Sequence, residues 1–331
     1  MKMFRDYDIK YPELVIDILE YFDITNGDMN QKSIMDFCNQ YNGGIVKASP
    51  QVQPDTIVKI CEILYNQNIL SVHSRGGFMD MRNNYSFVIR DKDFGTQNRQ
   101  RCINYYNSLV YGFEYIYNSY RNKVLPIVAH NGDQQSMGSC FRFSNGILTA
   151  KHCLVDGEKI SIRGISAKKL NEAKIYISKN QYIDVAYIDL QTPVIDIFSD
   201  APCVLDDILV MGYPMIPRFL DFCTAEKATI STIAGLRMTP SRGAVAAMAG
   251  EIFTVKDTLL MLITARIKGG NSGGPIINKN GSIIGIAVSD PKGEGDNYDD
   301  LGYGIAYPID IIDNILGNSE LLSIKFIDFI E

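Results

Sequence analysis

Three short segments in the second half of the chain place a hydroxyl, an imidazole and a carboxylate where they could act together. They are His152 in TAKHC, Asp184 in YIDVAYIDL and Ser272 in KGGNSGGP. An alcohol is a poor nucleophile at neutral pH, so an attacking serine needs a base within hydrogen-bond reach. Only His152 of the three histidines has a strand-to-turn motif around it; His73 and His130 sit in no comparable context. A carboxylate beside that imidazole would fix its tautomer and stabilise its protonated form. Asp184 and Asp189, at either end of one apolar run, both offer it. The glycines around Ser272 suit an oxyanion site, with the N–H groups of Gly270 and Ser272 turned toward one oxygen and Gly273 and Gly274 free to adopt unusual dihedrals.

The elements that must hold these groups read as short strands. Phe141–Phe143 and Ile147–Ala150 flank Asn145-Gly146, a dipeptide suited to a tight hairpin turn, and the second strand runs into Lys151-His152-Cys153. Further strands are expected at Thr229–Ile233 and Thr258–Ala265. Between them LRMTPSRGAVAAMA, rich in Gly, Ala and Met, reads either as a mobile flap or as a plain surface loop. A short helix at Pro308–Leu316 and a strand at Leu321–Ile330 close the chain.

GGNSGGP resembles the nucleophile loop of trypsin-like serine peptidases, TAKHC their histidine segment and IDVAYIDL their aspartate segment. The resemblance spans roughly Val124 to Gly317. It implies a double six-stranded β-barrel and metal-independent acyl transfer through an ester on Ser272, with no cofactor. Its pattern puts the acid before the strand, which selects Asp184 over Asp189. Secreted digestive members carry Asp just before the nucleophile, and a freshly cut amino terminus pairs with it. Here that residue is Asn271, which is neutral. LPIVAHNG, with Ile127, looks like such a terminus, but the ion pair cannot form and this activation route is rejected. GNSGGP is similar to the HtrA-type version, controlled by loops and attached domains. By position, Arg266 matches the base of the primary specificity pocket, where a buried guanidinium would favour an acidic substrate side chain. The alternative turns Arg266 outward or pairs it with Asp290. Val288–Asp290 and Gly302–Ile309 resemble the remaining pocket walls, with Gly304 leaving room at the entrance.

The first half has a different texture. Helical spacing of apolar residues predicts helices at Pro12–Phe22, Asn30–Tyr41 and Pro54–Asn68, then strands at Ile69–Val72 and Tyr85–Ile89 around the turn Arg75-Gly76-Gly77. Three helices and a hairpin resemble a winged helix. Such folds often bind DNA, yet Met1–Asp93 holds ten Lys or Arg against thirteen Asp or Glu. The third helix offers only Lys59, beside Asp55 and Glu62. Duplex binders rely on several basic phosphate contacts. Lys47, Lys59, Arg75 and Arg82 could still share a face, but nucleic acid is disfavoured against a regulatory protein partner at residues 1–95. Gln97–Arg121 reads as one long helix with Cys102, Tyr105, Leu109, Phe113, Tyr117 and Tyr120 on its packed side.

Composition sets the outer bounds. The 331 residues, 46% hydrophobic, can bury two or three cores. A formal charge of −6 argues against a generally basic, nucleic-acid-coating surface. No apolar run approaches the ~18 residues of a membrane span, and MKMFRDYDIK lacks the features of a secretory signal. Seven scattered cysteines without CxxC spacing fit reduced thiols, hence a cytoplasmic protein without a zinc site. If oxidised, Cys153 could pair with Cys140. The expected molecule is multi-domain α+β: a winged-helix-like domain at 1–95, a helical connector at 96–122, an all-β double barrel of trypsin-like type at 123–318 and a tail strand at 319–331. It is expected to be a serine endopeptidase acting on protein or peptide, regulated by its N-terminal domain or a partner. The alternatives are a catalytically silent peptide-binding module and a DNA-associated regulator.

Overall fold

The computed structural model describes residues 4–25, 32–41, 53–74, 83–86, 99–195, 197–214, 237–248, 260–289 and 302–329. The chain divides into two compact units, Met1–Ile116 and Tyr117–Glu331.

The first unit begins with α1 (Arg5–Lys10), absent from the sequence expectation, followed by α2 (Leu14–Tyr21), α3 (Ile34–Gln40) and α4 (Pro54–Asn66). Local chemistry sets where they start. Ser33 and Asp36 form a reciprocal capping box on α3, and Pro54 occupies the first turn of α4, where its missing N–H costs nothing. Leu14, Val15, Ile18 and Leu19 of α2 meet Ile34 and Phe37 of α3 and Ile57, Ile60, Cys61 and Leu64 of α4 in one core. A short antiparallel pair, β1 (Ser71–Ser74) and β2 (Asn84–Ser86), follows; the turn expected at 75–77 lies outside the described residues, as do Lys47, Arg75 and Arg82.

The long helix is a correction. It is two helices, α5 (Arg99–Tyr111) and α6 (Phe113–Tyr120), separated by Gly112 at φ +68°. The packed side of α5 is also one step away from the one expected: Ile103, Asn107, Ser108 and Val110 are buried, whereas Tyr105 is 40% exposed. Ile103 and Val110 belong to the first unit's core. Arg99 fastens α5 to α2, reaching Glu13 at 2.7 Å and Glu20 at 2.6 Å.

The second unit is two β structures. Strands β3 (Val124–Asn131), β4 (Gln134–Phe143), β5 (Gly146–Thr149), β6 (Lys159–Ile162), β7 (Lys174–Ser178) and β8 (Ala186–Asp189) form one sheet, with α7 (His152–Val155) and α8 (Ala167–Glu172) in its connections. In the β4–β5 hairpin the register pairs Phe143 with Gly146, and Ser144, not Gly146, takes the positive φ of 51°. Gly146 is needed for space: a Cβ there would lie 2.2 Å from the Ile188 carbonyl oxygen.

Strands β9 (Asp207–Gly212), β10 (Thr239–Met248), β11 (Met261–Ile263), β12 (Pro275–Asn278), β13 (Ile283–Ser289) and β14 (Gly304–Pro308) close into a six-stranded barrel in the order β10-β11-β14-β13-β12-β9. The segment read as flap or loop is therefore largely strand, β10, hydrogen-bonded on both sides. Its small residues suit a strand wedged between two neighbours; at Gly243 a Cβ would meet the Ala265 nitrogen at 2.3 Å. The expected strand at 229–233 lies outside the described residues.

After α9 (Ile311–Gly317) the chain returns to the first sheet. There β15 (Ser319–Leu322) pairs antiparallel with β7, and Phe326 bridges to Ile160 of β6 in parallel. The first sheet thus has seven strands instead of the expected six, and the chain's last segment touches both of its ends. Among the described residues no helix is long and apolar enough to cross a membrane.

Candidate active site

His152 opens α7 directly after β5, and Asp184 lies in the loop joining β7 to β8. Three hydrogen bonds join them. The main-chain N–H of Lys151 donates to the Asp184 carbonyl at 3.2 Å, and that of His152 donates to Oδ1 at 2.8 Å. The ring Nδ1 meets Oδ2 at 2.5 Å. With one carboxylate oxygen held by the backbone, the other can only face the ring. A proton on Nδ1, assigned from the carboxylate beside it, leaves Nε2 as the acceptor. The bond to Asp184, and secondarily one to Cys153, raises the imidazole pKa from 6.5 to about 10, against the downward pull of burial. Asp189, the rival acid, instead accepts from Asn145 Nδ2 at 2.9 Å and braces the hairpin.

Asp184 is also held from the six-stranded barrel. The Tyr307 hydroxyl on β14 donates to the Tyr182 carbonyl at 2.6 Å and accepts the Asp184 N–H at 3.3 Å.

Ser272 lies between β11 and β12 in a loop of successive turns. Asn271 N–H donates to Lys268 O and Gly274 N–H to Asn271 O, both at 2.9 Å. Gly270 and Gly273 have φ of +100° and +83°, a region that side chains with a Cβ rarely enter. A Cβ at Gly273 would lie 2.1 Å from the Ser139 carbonyl oxygen. Among the described residues, the N–H groups of Gly270 and Ser272 have no main-chain acceptor, as an oxyanion site requires.

Ser139 of β4 and Cys153 of α7 grip this loop. Ser139 donates its N–H to the Ser272 carbonyl at 2.8 Å and its hydroxyl to the Gly270 carbonyl at 2.6 Å, and its hydroxyl accepts from Tyr213 N–H at 2.8 Å. The Cys153 thiol, next to the base, reaches the same Ser272 carbonyl at 3.6 Å. The segments of His152, Asp184 and Ser272 are thus brought together. Ser139 and Tyr307 escaped the sequence reading; the only signals were a polar residue in a strand and a tyrosine three places after a pocket-wall glycine.

Of the two readings of Arg266, the geometry matches the outward one. Arg266 is exposed, so it is not the buried guanidinium that would favour an acid. Its neighbour Ile267 is 3% exposed, and a Cβ at Gly304 would lie 2.6 Å from Ile267 Cδ1. The room beside Gly304 is filled by an aliphatic side chain. Asp290 lies outside the described residues. Asn271 is buried, 4% exposed. Ile127 is fully buried mid-strand, paired with both Gly138 and Ile162. Cys140 and Cys153 are both free thiols. Among the described residues no three His, Cys, Asp or Glu side chains could together hold a metal ion.

The sequence model for the trypsin-like peptidase domain matches residues 138–286. Curated relatives include the chloroplastic Protease Do-like 2 of Arabidopsis thaliana, 27% identical over 56% of this chain and 28% of its own. Another is the periplasmic serine endoprotease DegP of Salmonella typhimurium, 27% identical over 56% of this chain and 37% of its own. The chain therefore spans well under half the length of either relative. Similar solved structures include the active form of the Rv3671c protease from M. tuberculosis (18% identity, 63% of this chain, 86% of that chain, TM-score 0.45). A serine endoprotease from Yersinia pestis is also similar (20% identity, 61% and 64%, TM-score 0.42).

Proposed function

Residues 138–286 belong to the trypsin-like peptidase domain family, and from that premise we propose that the chain is a serine endopeptidase cleaving protein or peptide. The observation that carries the reading is the His152 Nδ1–Asp184 Oδ2 bond at 2.5 Å, beside a nucleophile loop tied to the neighbouring Cys153. His152 Nε2 takes the Ser272 hydroxyl proton as Oγ attacks the scissile carbonyl. Asp184 holds the resulting imidazolium, and the N–H groups of Gly270 and Ser272 receive the oxyanion. The proton then passes to the leaving amine, giving an ester on Ser272. A water, deprotonated by the same imidazole, hydrolyses that ester. Apart from substrate and that water, every step uses groups of this chain.

Ile267 against Gly304 supports a shallow apolar pocket, so small aliphatic side chains should be preferred over acidic ones before the cut. We assign the first unit a regulatory role through a protein partner, in a winged-helix-like arrangement supported by the order of its helices and hairpin. Nucleic acid is the lesser alternative, since Lys59 is flanked by Asp55 and Glu62. Free thiols at Cys38, Cys61, Cys140 and Cys153 support a reducing compartment such as the cytoplasm.

A fluorophosphonate probe tests the chemistry. Wild type should label, and Ser272→Ala should not label and should lose up to about 10⁶-fold in turnover. Mapping cleaved peptides from the two proteins reads the side-chain preference. Wild type that stays unlabelled in every condition tried removes the enzyme reading.

A further inference from the structure

The acid of the site is fixed at four points, and one of them comes from the opposite barrel. Lys151 N–H holds the Asp184 carbonyl, His152 N–H holds Oδ1, and the ring holds Oδ2. All three belong to the short stretch around α7. The fourth is the Tyr307 hydroxyl on β14, which takes the Asp184 N–H and gives its own proton to the Tyr182 carbonyl two residues earlier. Tyr307 is 5% exposed, and Ile183, between its two partners, is 1% exposed. The hydroxyl has one donor and one acceptor role filled, so it sets the spacing of two peptide groups on either side of one residue. The rest of this loop is held by local bonds, Asn180 N–H to Ser178 Oγ at 3.1 Å, Tyr182 N–H to Asn180 Oδ1 at 3.0 Å and Ile183 N–H to the Asn180 carbonyl at 3.0 Å, and at its start by Lys179 N–H to the Asn318 carbonyl at 3.1 Å, outside the barrel. Those bonds shape the loop without saying where it sits against the second barrel. Tyr307 does.

We propose that Tyr307 is a positioning residue for the Asp184–His152 pair, a hydroxyl strut by which β14 of the second barrel holds the acid at hydrogen-bond distance from the imidazole. The proposal rests on the serine endopeptidase reading and deepens it. The same strand carries Gly304, packed on Ile267 at the specificity pocket. Tyr307 thus links the strand at the proposed pocket to the acid through one hydroxyl and its two bonds. Burial raises the Tyr307 phenol above its ordinary 10, so the strut remains a protonated donor through the working pH range.

Tyr307→Phe removes the hydroxyl and keeps the ring. Tyr120→Phe is the matched control: it loses an equally buried hydroxyl, bonded to the Gly281 carbonyl at 2.7 Å, which does not touch the site. Three measurements are made on the full chain: turnover of a peptide, melting temperature, and the titration of His152 followed by ring-nitrogen NMR in a protein with only three histidines. The side chains that set that titration are Asp184 and Cys153. In Tyr307→Phe, kcat should fall about tenfold, the loss of one hydrogen bond of ~1.4 kcal/mol from the transition state, with KM within about twofold. The His152 midpoint should move down toward 6.5. Tyr120→Phe should change neither. Wild-type turnover and His152 titration in Tyr307→Phe overturn the proposal. So do equal losses in both variants that follow melting temperature alone. A wild type that neither cleaves nor labels would sink the peptidase reading instead, and the titration would still decide whether Tyr307 positions the pair.

Discussion

An imidazole that gives one nitrogen to a carboxylate becomes a stronger base and a better-held cation, and those two effects pull against each other with pH. In the proposed reaction His152 is a base only when neutral, yet Asp184 raises its pKa to about 10. The acid limb of the activity profile should therefore lie above 6.5. In Asp184→Asn it should shift down toward 6.5, with kcat lower by about 10⁴-fold because the tautomer is no longer fixed. A pH–rate series on both proteins checks this; unchanged limbs would remove Asp184 from its role. Stability runs the other way. A histidine whose folded pKa exceeds its unfolded value stabilises fully below about 6.5 and loses that contribution as pH rises through the folded pKa. The pair is partly solvent-exposed, so screening keeps the contribution small. Melting temperature of wild type relative to Asp184→Asn should therefore decline with pH while turnover climbs.

At the scale of elements, the C-terminal strand is the feature with a measurable cost. Phe326 is 3% exposed, packed in the first sheet's core, and both of its main-chain groups are bracketed by the Asn171 amide, at 2.9 and 3.0 Å. Phe326→Ala should cost about 3–5 kcal/mol, read from urea unfolding of the full chain. A loss under about 1 kcal/mol would mean the segment is only laid on the surface. This strand also marks where the sequence stopped being legible. TAKHC and GGNSGGP are read within a few residues because turn, strand and glycine demands are local. Asp184 needed the order of motifs as well. The helices of the first unit were legible from apolar spacing. Gly112 was the residue that divided the expected long helix, and a glycine inside a periodic pattern does not announce which φ it takes. The β7–β15 register and the grip of Ser139 on Gly270 join residues more than a hundred positions apart. Periodicity carries no information about such partners. Arg266 likewise matched by counting back from Ser272, but which of two neighbours turns inward is decided by the space beside Gly304.

For the molecule as a whole, the two units have separate cores, and the break at Gly112 falls just before α6. The Tyr120 hydroxyl of α6 bonds the Gly281 carbonyl, so α6 should be kept with the peptidase part. A fragment of residues 113–331 should fold and take the fluorophosphonate label, with any regulation by residues 1–95 lost. A soluble fragment that cannot be labelled would show that the first unit completes the catalytic machinery. The wrap of residues 319–327 around the first sheet also bears on how the protein is made. Chains acquire structure from the N-terminus during synthesis. Here the strand beside β7 and the bridge to β6 are translated after His152, Asp184 and Ser272. A nascent chain that stops short of residue 319 has its histidine, aspartate and serine already polymerised but lacks the segment that finishes the sheet beneath two of them. The sheet that carries His152 and Asp184 is therefore completed only after all three proposed catalytic residues have been made.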